Sequence, residues 1–466
     1  MMKKFNIQKQ DSIHTDTKFM QKKQHFAKKQ AFIFLAILVF NAVAAPFCVF
    51  ALDLKDVNSK LSDVFASFSD SNEGTTVFRS LNIPTGGRSE SLGTAITGLC
   101  DDITFFDYNP AGSAVLSNSE IAFFHNSWIA DSAMETLEGS MRFNNLGMGL
   151  QLKCFYVPFT EYNLFGDKLA GNYYSETSLA FNMAYNFLAG YNFKGIAAGY
   201  TVRASWRNMP DYADNQTDKI KSGSGLEQSA LGFMADFGLL VRFNFLKNFS
   251  SLEPNFNFGL ALNNLGLAFT GFSKNFELDD SLPTRISAGF SYRLFKNLLF
   301  TTEFRQPVNL MNFSSSQKFS FASGAEINVT DFFDFEAGFM LSGGNPRFSI
   351  GSQFDIKGIK MNVNYTLDLT TSFNPVNHIS LAARLLLGDR GRSKTRAMVY
   401  EKYTEGIELY SKGDRQNIQK AIEKWTEAKN MSSSIGIKFD PAIEAITAAQ
   451  DLLNVHDQIK NFGSLN

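Results

Sequence analysis

The chain has 466 residues, with 44 Lys and Arg against 45 Asp and Glu and a formal net charge of -1 at pH 7, a balance that excludes bulk attraction to nucleic acid. Its 3 cysteines exclude a disulfide framework. Phenylalanine is the outlier, at 48 residues against 3 Trp, and no second long apolar run follows the amino-terminal one, so membrane helices are excluded as the place for those rings.

In chain order, residues 1–30 are polar and basic and lead into "AFIFLAILVFNAVAAPFCVFA", the layout of a signal peptide over residues 1–51. The run from Ala31 to Phe40 is too short to span a bilayer as a helix, and Asn41 and Pro46 interrupt it. Cleavage is expected after Ala45 or Ala51, with Met20 as an alternative start. Cys48 follows Pro46 and Phe47, where a lipidation signal would place small residues, so it is not read as lipidated. Of the two cysteines left, Cys100 and Cys154, the latter sits in a strand pattern and reads as a small apolar residue. Residues 52–118 form an N-terminal segment that ends in "DDITFFDYNPAGSAVL", Asp101 to Leu116. Asn109 and Gly112 tolerate positive φ, and Pro110 pushes Asn109 out of helical geometry, so the chain must change direction here.

From Ser119 to Gly388 the pattern has period two. In "SLAFNMAYNF" the residues Leu179, Phe181, Met183, Tyr185 and Phe187 share one face, and Ser178, Ala180, Asn182, Ala184 and Asn186 the other. The pattern recurs in "TRISAGFSYRLF", "NFNFGLALN", "IKMNVNYTLDL" and "HISLAARLLL". About fourteen segments have the length of a tilted transmembrane strand, near 119–129, 137–144, 146–157, 175–188, 192–206, 229–246, 253–269, 283–295, 298–308, 317–329, 332–342, 346–356, 358–371 and 376–388. Connections after even-numbered segments are short, and several after odd-numbered ones are long, including Pro158 to Tyr174, Arg207 to Gln228 and Thr270 to Leu282. This sorting predicts an all-β transmembrane barrel of about fourteen antiparallel strands over residues 119–388, with short turns in the periplasm. Residues 389–466 change to helical periodicity, with Gly413 ending one helix, Ala421, Trp425 and Ala428 on one face of the next, and a third starting at Asp440. They predict a small periplasmic helical domain.

No HExxH, CxxC or phosphate loop is present, so no catalytic residue, metal ligand or cofactor is expected, and the chain is not read as an enzyme. The polar faces of the strands carry Arg203, Asp236, Arg242, Arg285, Arg293, Glu303 and Arg305, which would face the lumen because charges on the lipid face are costly. The same frame carries Phe155, Met234, Leu240, Leu299 and Met340, which suit a conduit for apolar solutes.

The stretch from Leu81 to Leu116 resembles the N-terminal signature of the FadL-like long-chain fatty-acid transporters and related PorV-type barrels, and most nearly the treponemal branch of that group. The matching residues are Gly86, Gly87, Arg88, Gly93, Asp101, Asp102, Asn109, Pro110, Ala111 and Gly112. The resemblance implies that this segment folds inside the lumen as a plug. Asp101 and Asp102 are then expected to pair with inward arginines such as Arg203 or Arg285. The tail is similar to a degenerate tetratricopeptide repeat, with Gly406, Ala421, Trp425 and Ala428 at matching positions. Two functions follow. The first is a plug-gated outer-membrane channel for long-chain fatty acids or other hydrophobic small molecules, sited in outer-membrane lipid. The alternative is a non-transporting scaffold that docks a periplasmic protein partner through the helical tail.

Overall fold

The computed structural model describes residues 70–463 apart from 73, 130, 163–164, 213–219, 273–276, 344 and 369–375. The expected signal peptide, its alternative start at Met20 and residues 52–69 lie outside the described residues. Fifteen strands run in chain order: β1 Ser119–Ser127, β2 Ala133–Phe143, β3 Leu146–Tyr162, β4 Lys168–Phe187, β5 Ile196–Asn208, β6 Ala230–Phe243, β7 Phe256–Thr270, β8 Glu277–Leu278, β9 Arg285–Phe295, β10 Leu298–Pro307, β11 Ser320–Thr330, β12 Phe333–Ser342, β13 Asn345–Ile356, β14 Ile359–Asp368 and β15 Val376–Gly388. Each wall strand pairs antiparallel with its sequence neighbours, β7 pairs with both β6 and β9, and β1 pairs with β15. The sheet therefore closes into a fourteen-stranded barrel, and β8 folds back on the end of β7 outside that ring. Closure removes the free edges that an open sheet would present.

Alternation assigns the two faces. In β1 the buried Ala122 and Phe124 alternate with Ile121 and Phe123, which are exposed outward. Around the wall Leu152, Phe233, Phe290, Phe304 and Leu381 are also exposed on the outer face. An apolar belt of this extent is what a bilayer requires of a barrel, and water would not tolerate it.

The Pro158 to Tyr174 connection, expected to be a loop, is for the most part paired strand. Val157 faces Tyr174, Pro158 faces Tyr173 and the register runs on to Tyr162 opposite Lys168. Pairing of β2 with β3 ends at Ala133 opposite Tyr156, and pairing of β4 with β5 at Ser175 opposite Asn208. The β3–β4 hairpin thus stands beyond the rim as a two-stranded ribbon. Pro158 is tolerated there because the side of β3 away from β4 has no partner strand to receive its missing N–H. The Thr270 to Leu282 connection similarly contains β8.

Three helices follow the barrel, at Arg392–Tyr410, Arg415–Ser434 and Asp440–Gly463. Their core is Val399, Ile418, Ala421, Trp425, Ala428, Phe439, Ala442 and Ala449. Gly406 has to lack a side chain, since a Cβ there would lie 2.3 Å from Trp425 Nε1. The tail is fastened to the short turns. Tyr191 N donates to the Lys438 carbonyl at 2.9 Å, Lys438 N donates to the Ala189 carbonyl at 3.0 Å, and Asn145 Nδ2 reaches the Gly436 carbonyl at 2.7 Å. The Tyr191 ring packs edge-on against Tyr400 and Phe439.

Candidate functional site

Residues 78–116 are enclosed by the wall. Leu92, Ile96, Ile103, Phe105 and Phe106 are fully buried, and hydrogen bonds radiate from this segment to strands on every side. Asn126 of β1 reaches the Pro84 carbonyl at 2.9 Å, Asn182 of β4 the Pro110 carbonyl at 2.9 Å, and Ser291 of β9 the Gly98 carbonyl at 3.2 Å. Gly87 N donates to Ser380 Oγ of β15 at 3.0 Å. The wall accepts so close a backbone because its inward face carries glycines. A Cβ at Gly259 would lie 2.0 Å from the Thr97 oxygen, and one at Gly338 would lie 2.0 Å from Gly93 N.

Neither Asn109 nor Gly112 uses the positive φ that the sequence allows. Asn109 is extended (φ -148°, ψ 108°) and caps the short helical turn Pro110–Ala114 by accepting from Ala111 N. Its amide donates to the Thr97 carbonyl at 2.8 Å and to the Leu239 carbonyl of β6 at 3.0 Å, so the turn is also a strut to the wall. Gly112 is required sterically, because a Cβ there would meet Phe105 Cβ at 2.3 Å. Ala111 is buried in the same cluster as Phe105 and Phe106. Gly86 and Gly87 do adopt positive φ, at 109° and 61°, and there L side chains would be strained.

The acid pair does not reach Arg203 or Arg285, which corrects the expected pairing. Asp101 and Asp102 both bind Arg88 of the same segment, at 2.6 and 3.0 Å, and Asp102 also lies 3.1 Å from Arg384 of β15. Arg88 in turn binds Glu326 of β11 at 2.6 Å. Burial pushes the Asp102 carboxyl up, but Arg384 and Arg88 outweigh it and hold the group below the ordinary carboxylate range. Arg203 instead pairs with Asp236 at 3.4 Å. Arg285 donates to the carbonyl of Asp107, and its Nε is buried with no hydrogen-bond partner among the described residues. The physical reason is angular. Asp101 and Asp102 come to rest beside β11 and β15, whereas Arg203 and Arg285 project from β5 and β9.

The remaining candidates divide by depth. Glu303 and Arg305 bind each other, and Glu303 accepts from Thr97 N at 2.8 Å. Arg242 and Arg293 lie at the short-turn end, bonded to the carbonyls of Lys194 and Lys296. Met234 packs on Phe78 and Leu81, Leu240 on the cluster around Phe105, and Leu299 on Leu92 and Ile96. Phe155 and Met340 line open space. Sequence reasoning missed Lys153, which binds Asp107 at 2.9 Å, along with Glu326 and Arg384. All three follow the alternation that located the others, so the signal was present.

That open space is a cavity of about 550 Å³ at the long-loop end, floored by Arg79, Ser80, Asn82 and Ile83 of the enclosed segment. Trp128, Ile129, Phe155, Val308 and Met340 supply apolar wall, and Arg79, Arg285, Arg305 and Arg347 supply charge. Arg347 stacks over Trp128 at 5.2 Å and is paired with Asp368. The Arg285 side chain also lines the cavity, with its terminal nitrogens bonded to Asn82 Oδ1 and the Asp107 carbonyl.

A closed antiparallel barrel with an apolar belt and a lumen occupied by its own N-terminal segment defines a β-barrel of outer-membrane type. The chain belongs to UPF0164, described as an uncharacterised protein family, whose model matches residues 56–390. It is 30% identical over 403 residues to a UPF0164 protein of Treponema pallidum (strain Nichols), covering 84% of this chain and 87% of that one. A second UPF0164 protein from the same organism is 27% identical, with 83% and 78% covered. Among solved structures, the fold is similar to the Pseudomonas putida toluene transporter TodX, at 10% identity and a TM-score of 0.45, covering 65% of this chain and 98% of that one. It is also similar to a Pseudomonas aeruginosa FadL homologue, at 11% identity and a TM-score of 0.36, covering 65% and 97%.

Proposed function

We propose that this protein is an outer-membrane channel for hydrophobic small molecules, entered through the cavity at the long-loop end and gated by the enclosed N-terminal segment acting as a plug. The observation that carries the reading is the cavity itself, a space of about 550 Å³ lined by apolar and by charged side chains, with part of that segment in its lining. Arg79 and Arg285 line it together with Phe155 and Trp128, a pairing of cationic and apolar lining that suits a carboxylate head on an apolar tail, so long-chain fatty acids are the favoured cargo. Filling the cavity tests this. Ser320→Trp, from a small residue of the lining, is expected to reduce fluorescent fatty-acid entry into proteoliposomes severalfold while the folded barrel persists, and unchanged uptake would sink the transport reading.

The plug, the fatty-acid cargo and the periplasmic placement of the tail are parts of this proposal. Orientation has its own test. In a Cys154→Ser background, Ser222→Cys in a long loop should react with an impermeant maleimide on intact cells, and Asn297→Cys in a short turn should not. The reverse pattern would invert the topology. A second reading, a PorV-type assembly scaffold, is favoured by the firm seating of the tail on the short turns. Under it, the cavity-filling variant would leave uptake at background in both proteins and impair release or assembly of a partner only when the tail is altered.

A further inference from the structure

A second charged group lies at the opposite end of the barrel from the cavity, where the tail meets the short turns, and the transport reading makes no use of it. Arg142 stands near the end of β2 and Arg242 near the end of β6, both on the inward face. Lys194 lies in the turn between β4 and β5, and Arg392 and Arg396 project from the first turns of the first tail helix. The carbonyl of Leu116 accepts from Arg142 Nη1 at 3.0 Å and from Arg392 Nη2 at 3.2 Å, so two guanidinium groups converge on one oxygen. Arg242 donates to the Lys194 carbonyl at 3.3 Å, and its Nε is buried with no hydrogen-bond partner among the described residues.

The carboxylates facing this group are Glu253, 2.8 Å from Arg396, and Asp389. Asp389 is engaged at the helix start, accepting from Gly391 N and Ser393 N. Among the described residues Arg142, Arg242 and Lys194 have no carboxylate within ion-pair distance, and Glu253 is the carboxylate whose charge reaches all three. On the lipid side the charge continues through Arg390, whose guanidinium lies 4.0 Å from the centre of the outward Phe143 ring. Like charges gathered in partly dehydrated surroundings repel one another strongly, and the fold nevertheless converges them. An anion between them would turn that repulsion into attraction. The guanidinium fork matches the oxygens of a phosphate, and the basic run "DRGRSKTR" directly follows the last strand.

We propose that the junction of barrel and tail, at Arg142, Lys194, Arg242, Arg392 and Arg396, is a binding site for a phosphate-bearing anion, carried either by an anionic lipid headgroup or free in solution. The test uses the full-length protein in maltoside micelles, which contain no phosphate, titrated separately with short-chain phosphatidylglycerol, short-chain phosphatidylcholine and inorganic phosphate. Thermal unfolding and calorimetric binding are followed. Phosphatidylglycerol is expected to bind saturably and raise the unfolding midpoint, and Arg142→Gln with Arg392→Gln is expected to weaken that binding about tenfold or more. A shift with the anionic lipid alone assigns the site to a headgroup. An equal shift with inorganic phosphate assigns it to a free anion. No response to either, equal binding by the double variant, or an equal shift with zwitterionic phosphatidylcholine overturns the proposal. Should the double variant fail to fold, Glu253→Gln decides the matter. Loss of that carboxylate should tighten phosphatidylglycerol binding severalfold, and unchanged or weaker binding counts against the site.

Discussion

Deletion of residues 86–112 is expected to turn a nearly silent barrel into a conducting pore, with planar-bilayer conductance rising roughly tenfold or more toward that of a water-filled channel. The removed stretch includes the fully buried Leu92, Ile96, Ile103, Phe105 and Phe106. Its loss would leave inward groups such as Lys153, Arg203 and Asp236 facing water, where they need no partner. Closure of the wall through β1 with β15 and β6 with β7 involves none of the deleted residues, so the barrel should still form, as checked by heat-modifiable gel mobility. Gly93→Leu offers a gentler version. Its φ of 62° disfavours an L side chain, and the added Cβ would fall 2.6 Å from the Phe339 oxygen. That variant should produce fluctuating conductance as the segment is pried from β12. A deletion that folds and conducts no better than wild type would refute the plug.

Arg88→Leu should be the most destabilising single substitution in the enclosed segment, at about 3–5 kcal/mol, because it removes one partner from a buried ionic cluster. Arg88 binds Glu326, Asp101 and Asp102, and its side chain is only 6% exposed. Glu326, at 5% exposure, would be left as an uncompensated buried charge, while Asp102 would keep Arg384. Asp101, with its side chain 42% exposed, is the internal control. Asp101→Ala should cost less than about 1 kcal/mol, because water can replace its partner. Adding Glu326→Gln to Arg88→Leu should recover part of the loss, since the two residues share one interaction. Urea unfolding of the folded barrel in micelles measures all three. Equal losses for Arg88→Leu and Asp101→Ala would mean that the cluster is solvated rather than buried.

The wall was readable from the sequence because its code is local. Period-two alternation over Ser178 to Phe187 or Ile286 to Leu294 assigns each residue to lipid or lumen from its immediate neighbours, and turns such as Lys296–Asn297 mark the reversals. The ribbon at Pro158 was not readable. A proline and polar residues look like a loop, and only pairing with Tyr173 shows otherwise. Lys153, Glu326 and Arg384 were open to the same alternation that identified Arg203 and Arg305, and their significance was not, because it depends on Asp107, Asp102 and Arg88 being brought opposite them.

The strand segments, their two faces and the helical tail thus follow from patterns spanning a few residues, where backbone period and side-chain polarity are enough. Partner choice inside the lumen follows from the path of the enclosed segment. Arg285 and Arg384 are equivalent as letters, both arginine on an inward face, yet Asp102 meets Arg384 because Gly87 and Gly93, by admitting close approach to β15 and β12, set where the segment turns. The seating of the tail is of the same kind. Tyr191 and Lys438 are 247 positions apart, and the backbone bonds around them depend on the tail being brought back to a turn of the barrel. Contacts between distant stretches depend on three-dimensional position, which no local period encodes, and for this reason the cavity, the Arg88 cluster and the basic junction appear only in the folded chain.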